Sequence, residues 1–273
     1  MRRYMNNNDL WITEYASVGE FVADINSLSN NKFYEDRKSS QRTEKPGGTW
    51  YATEDYPRAT YLLTHGWDEA AEKMSKKVKM TVAAGQNVRS SKPAYGVVGS
   101  QASVPRYLQG IPTNMVSRQI TYTKQKVVTI TKGISYHSGW KSSQIIEECV
   151  KALQIIQSME NAGQRVRLNV MIAVSDYSKK HHHICKVCVK QPDERMNISK
   201  MAFALAHPSM LRRFFLKWIE VDPFAEHDMG DGYGYPASLP IKERGMAENE
   251  YYIPEKIEDM DKLIEQFQNG KTR

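Results

Sequence analysis

Residues 165–174, RVRLNVMIAV, constrain the fold of this chain more than any other segment. Val166, Leu168, Val170, Ile172 and Val174 fall on every second position, the period of a strand with one face in a core. Helical patterns lie on both sides. Upstream, residues 142–160 place Ile145, Ile146, Cys149, Val150, Leu153 and Ile156 on one stripe, and Asn161-Ala162-Gly163 ends the pattern. Before that helix, QKVVTITKGI is β-branched and reads as a strand. Downstream come a further strand, HICKVCVK, and a helical stretch, NISKMAFALAHPSMLRRFFLKWIE, interrupted near His207-Pro208. The order is β-α-β-β-α. Its first two strands are expected to be parallel and the third antiparallel to its neighbour. This is an α/β class: a βαββα unit whose small mixed sheet is covered by helices.

Around this core domain, residues 118–223, the pattern changes. Residues 1–117 read as a mainly helical region packed on the core. SVGEFVADINSL has helical spacing, Asp55 and Pro57 open a second helix that stops at Gly66, and DEAAEKMSKKVKM orders its acids before its lysines to suit the helix dipole. Residues 224–273 read as an irregular Gly/Pro-rich acidic tail ending in an amphipathic helix over 253–268.

The chain has 273 residues, 40% of them hydrophobic and 25% charged, enough for a sizeable core. No run approaches the roughly 18 apolar residues of a membrane span. The first residues, MRRYMNNNDLWITEY, lack the apolar stretch of a secretion signal. Three cysteines without framework spacing suit reduced thiols in a cytoplasm. The net charge is +7, yet residues 222–273 hold twelve acids and six bases, so the other 221 residues carry +13. A basic body with an acidic tail fits an anionic partner such as nucleic acid, with the tail competing for the same surface.

Candidate site residues fall in two groups. Lys73, Lys76, Lys77 and Lys79 crowd one helix end, while Arg212, Arg213 and Lys217 lie beside Phe214, Phe215 and Trp218; these seven are the expected phosphate contacts. Open α/β sheets also bind ligands beyond the carboxyl ends of their strands. There, GISYHSGWKSS offers Ser135, His137, Ser138 and Ser142, and SDYSKKHHH offers Asp176 and Ser178. HHHICKVC contains a C-x-x-C, but strand alternation sends Cys185 and Cys188 to opposite faces, so the pair cannot chelate one ion. No phosphate-binding glycine loop, dinucleotide fingerprint, nucleophile elbow or zinc-protease motif is present. No metal, cofactor or catalytic set is expected.

Four phrases carry a resemblance: DYPRATYLLTHGWDEAAEKM (55–74), VVGSQASVPRYLQGIPTNM (97–115), ALQIIQSMENAGQRVRLNV (152–170) and MAFALAHPSMLRRFFLKWIE (201–220). In this order they resemble a family of proteins of unassigned reaction encoded by tailed bacteriophages and prophages. The likeness implies a phage source, a place in the host bacterial cytoplasm or the virion, and a βαβ part similar to von Willebrand A-like domains. The metal motif of those domains, Asp-x-Ser-x-Ser, is degenerate here, with Ser135 and Ser138 and no aspartate. Two functions remain in view beside a third, less favoured one, an enzyme with a site at the strand ends. One is a non-enzymatic protein binding nucleic acid or a nucleoprotein. The other is a protein-interaction or assembly module with a phage or host protein as partner.

Overall fold

The computed structural model describes residues 1–5, 10–36, 38–79, 89–122, 126–176, 178, 181–222, 229, 233–237 and 250–268. These residues form a mixed α/β fold, with no barrel among them. The expected βαββα order is β6 (Val127–Gly133), α5 (Ser142–Asn161), β7 (Arg165–Ser175), β8 (His182–Lys190) and α6 (Ile198–Ala206). β6 and β7 are parallel and β8 is antiparallel to β7. Val166, Leu168, Val170 and Ile172 are buried, as the alternation requires, in one core with Leu153, Ile156, Phe203 and Phe214. The caps also follow the sequence: Asp55 accepts from Arg58 N, and Gly66 closes α2 (Tyr56–His65) at a φ of 110°.

The sheet is larger than the core pattern alone. β1 (Arg2–Met5), β2 (Leu10–Tyr15) and β10 (Glu250–Ile253) join it, giving the order β1-β2-β8-β7-β6-β10, and β9 (Tyr235–Pro236) pairs with the end of β7. This corrects two expectations. The N-terminal stretch is not simply helical, because β2 pairs parallel with β8. The tail is not simply irregular, because β10 pairs parallel with β6, and the amphipathic helix α8 begins only at Met260. Parallel partners so far away in sequence leave no local turn signal. The Gly/Pro-rich residues 224–228, 230–232 and 238–249 lie outside the described set.

On the other side of the sheet, Leu10, Ile12, Met171, Ala173, Ile184 and Tyr252 form a smaller apolar cluster. It adjoins a buried polar network in which Lys186 meets Glu250 at 3.2 Å and Asn169 donates to Thr131 at 3.2 Å. α1 (Val18–Ser27), α2 and α3 (Asp68–Lys79) add Phe21, Ile25, Leu63 and Met74 to the main core. β3 (Arg89–Gly96), β4 (Gln101–Ala102) and β5 (Met115–Tyr122) form a separate small sheet with the short helix α4 (Val104–Leu108). Among the described residues, no helix is long and apolar enough to cross a membrane.

The break near His207-Pro208 is real. α6 ends at Ala206, a π turn over Met210–Phe215 follows, and α7 (Leu216–Val221) completes the segment. His207 caps α6 with its ring stacked on Phe203 at 4.6 Å and edge-on to Trp67 at 4.7 Å, and its Nδ1 accepts from Ser209 N at 3.1 Å. Burial, helped by the charge of Arg213, pushes its pKa down to about 4. The unfolded imidazole titrates near the usual value of 6.5, so it binds more protons than the folded one between these values. Stability is therefore complete above that range and falls as pH drops through it, by about 3 kcal/mol. His207→Asn keeps an acceptor for Ser209 N. In urea denaturation from pH 4 to 7 it is expected to show a flatter pH dependence than the wild type; parallel curves would assign that slope to other groups.

Candidate functional site

The carboxyl ends of β6 and β7 open into a cleft of about 560 Å³. Four separate segments build it. The turn after β6 supplies Ser135, Tyr136, His137 and Ser138, and the π turn supplies Leu211, Arg212 and Phe215. The loop before α2 adds Ser39, Arg42, Trp50 and Tyr51, and the segment at β9 adds Tyr233 and Tyr235. Ile172 and Val174 of β7 are its apolar floor. The β9 segment reaches the end of β7 only because residue 234 is glycine: φ is +82°, and a Cβ there would lie 2.5 Å from Ser175 O.

Two cations stand at the cleft. Arg42 is exposed. Arg212 is half-buried, holds its guanidinium 4.1 Å over the Trp50 ring, and donates from Nη1 to Trp50 O at 2.5 Å. Such a stack fixes a cation at little further entropic cost. Trp50 and Tyr235 keep 51% and 46% of their surfaces exposed, which leaves aromatic surface open to a ligand. Ser135 Oγ accepts from Ala173 N at 2.9 Å and keeps its own proton to donate. His137 and Ser138 are exposed.

The structure thus brings together Ser135, His137, Ser138 and Arg212, which the sequence placed in separate groups. It leaves the other candidates elsewhere. Asp176 turns on its own loop, accepting from Ser178 Oγ at 2.6 Å and from His181 N at 3.4 Å. Ser142 is the first residue of α5 and lies outside the cleft. Lys73, Lys76 and Lys77 are exposed along α3, with Lys76 paired to Glu72 at 2.9 Å; the side chain of Lys79 lies outside the described set. Arg213 and Lys217 are corrections. Arg213 is 0% exposed and Lys217 6%. The Arg213 guanidinium donates to Thr53 Oγ1, Thr53 O, Ser40 O and Arg42 O at 2.7 to 3.1 Å, and Lys217 donates to Asn30 Oδ1 at 3.1 Å. Neither reaches a phosphate, because the loop before α2 folds over one and the segment after α1 over the other.

Sequence reasoning missed Arg42, Trp50, Tyr51, Tyr233 and Tyr235. The only local signal was a tyrosine between the glycines of GDGYGYP, where a glycine-bracketed aromatic marks close backbone approach. The thiols take no part. Cys149 is fully buried, its pKa pushed up to about 12, and Cys185 is buried in the main core beside Val187. Cys188 is buried outside that core, its Sγ against Lys190 O. Among the described residues, no three His, Cys, Asp or Glu side chains converge as a metal ion needs.

A family model described as Domain of unknown function (DUF7192) matches residues 3–268, nearly the whole chain. The chain belongs to the DUF7192 family. No curated protein and no solved structure matches this DUF7192 protein. Family membership therefore adds no reaction, and the cleft of the DUF7192 fold must be read from its own chemistry.

Proposed function

We propose that this DUF7192 protein binds nucleic acid without acting as an enzyme, and that its cleft takes an unpaired nucleotide. The carrying observation is Arg212 stacked on Trp50 beside Arg42, at the mouth of an aromatic-lined cleft. A base finds ring faces in Trp50 and Tyr235, its phosphate finds the two guanidinium groups, and Ser135, His137 and Ser138 supply polar contacts. Stacking plus cations is the chemistry of single-strand binding. Lys73, Lys76 and Lys77 extend the positive field outside the cleft. Phage origin rests on the four sequence phrases. The β6-α5-β7 unit supports a von Willebrand A-like reading of the core, in which the strand-end site has lost its carboxylate and gained arginine.

Fluorescence anisotropy with a labelled single-stranded oligonucleotide tests this. The wild type is expected to bind with an affinity that falls steeply with salt. The Arg42→Gln, Arg212→Gln double variant should bind at least about tenfold more weakly, and its log–log salt slope should shrink by about 1.4, or ~0.7 for each phosphate no longer neutralised. Its melting temperature should stay near that of the wild type. No binding by the wild type at low salt, or an unchanged slope in the double variant, would reject the cleft as the site.

A further inference from the structure

The positive charge of this chain is concentrated to a degree that the net value hides. The 74 residues from 73 to 146 contain twelve lysines and arginines and not one aspartate or glutamate. The remainder of the chain nets −5, since 7 − 12 = −5. In the middle of this acid-free stretch lies the small separate sheet. β3 and β5 pair antiparallel through eight residues, from Arg89↔Tyr122 to Gly96↔Met115. At ~3.4 Å per residue the ribbon is about 27 Å long. Its end, residues 97–114, folds back through β4 onto β5 and carries α4. That return needs Gly99, where a Cβ would lie 2.6 Å from Val116 O.

Among the described residues, the most exposed large apolar side chains lie at the ribbon end. Val97, Val98, Val104, Tyr107 and Leu108 are 62 to 85% exposed. Beside them, Arg106 lies 4.1 Å over the Tyr95 ring, the same cation-on-aromatic arrangement as Arg212 on Trp50. Arg118 is exposed and sits opposite Pro93 in the ribbon.

We propose that this ribbon is an arm that grips double-stranded nucleic acid, its basic strands lying along a groove and its apolar end pressed against base steps. The proposal rests on the reading that the partner is nucleic acid, and it adds a second element that contributes no residue to the cleft. A two-stranded ribbon can lie in a groove of the duplex, and proteins that bind the minor groove press apolar side chains between base steps. The absence of acids on the arm fits a polyanion as the occupant and counts against pairing of two arms. Two acid-free basic arms repel each other, whereas a phosphate backbone attracts every cation on the arm.

Two variants test the arm against a blunt 30-base-pair duplex. In the first, residues 97–114 are replaced by Asn-Gly, a two-residue turn that suits the Gly96↔Met115 pair and keeps the ribbon register. In the second, Arg106→Gln is combined with Arg118→Gln, which leaves the backbone untouched. The expected result is a loss of duplex affinity of tenfold or more in each, a salt slope smaller by about 1.8 in the arginine pair (~0.9 for each phosphate no longer neutralised), and unchanged single-strand binding. Unchanged duplex affinity and slope in the arginine pair overturn the proposal. So does a turn variant whose mass in light scattering is half that of the wild type while duplex affinity holds, since the apolar end would then dock a second copy. A wild type that binds duplex but not single strand rejects the cleft and leaves the arm; one that binds single strand but not duplex does the reverse.

Discussion

Arg213→Ala is expected to destabilise the protein by about 4 kcal/mol or more, a large share of the 5–15 kcal/mol typical of a folded domain. The guanidinium is sealed from solvent. It ties Ser40, Arg42 and Thr53 together through four hydrogen bonds and lies 4.1 Å over the Tyr51 ring. Truncation strands the buried Ser40 and Thr53 carbonyl oxygens, each costing about 1–3 kcal/mol when left without a partner, and leaves Thr53 Oγ1 only Ser209 Oγ at 2.8 Å. The same loop brings Arg42, Trp50 and Tyr51 to the cleft, so nucleic-acid binding should be lost together with stability. Arg213→Lys should recover little, because an ammonium cannot donate in the directions of the planar fork. Arg212→Gln, one residue away, should change stability by less than about 1 kcal/mol, since its side chain lies at the cleft rather than in the core. Urea denaturation of the three variants checks this; equal midpoints for Arg213→Ala and the wild type would show that the loop is not held by this residue.

Removing residues 248–273 is expected to abolish cooperative unfolding. β10 and the segment after it bury Tyr251, Ile253, Ile257 and Phe267 in the main core. Lys132, itself 0% exposed, would lose the Pro254 and Glu255 carbonyls that accept from its Nζ, and Lys186 would lose Glu250. Glu148 would lose the Ile257 N–H that it accepts from at 2.7 Å and keep Lys151 at 2.8 Å. An uncompensated buried charge alone costs about 3–5 kcal/mol, and the edge of β6 would be open to aggregation. A truncated chain that melts near the wild-type temperature would contradict the pairing of β10 with β6. This tail is thus built into the sheet, and the expectation that it competes electrostatically is better tested without truncation. Glu258, Asp261 and Glu265 are exposed. Changing these three to Gln, Asn and Gln keeps the fold and should tighten oligonucleotide binding by a few-fold at low salt only, as screening predicts.

What the sequence alone determined is local. The period-two run 166–174 and the stripe on α5 were legible because each periodicity is imposed by one buried face, and a residue out of phase there would put a polar group in the core. The caps at Asp55 and Gly66, and the break at His207-Pro208, were legible because backbone geometry there depends on the residue itself. The opposed positions of Cys185 and Cys188 followed from strand alternation. Tertiary structure decided the rest. Short strands such as β2 and β10 pair parallel with partners far along the chain, so their register depends on packing rather than on a turn. Arg212 and Arg213 look alike in sequence, yet the π turn and the loop over it send one to the cleft and the other into the core. The cleft itself joins residues 39–51, 135–138, 211–219 and 233–236. No local propensity records that these four segments meet. They meet because closing the main core over β6 and β7 leaves the strand ends as the place where their loops converge.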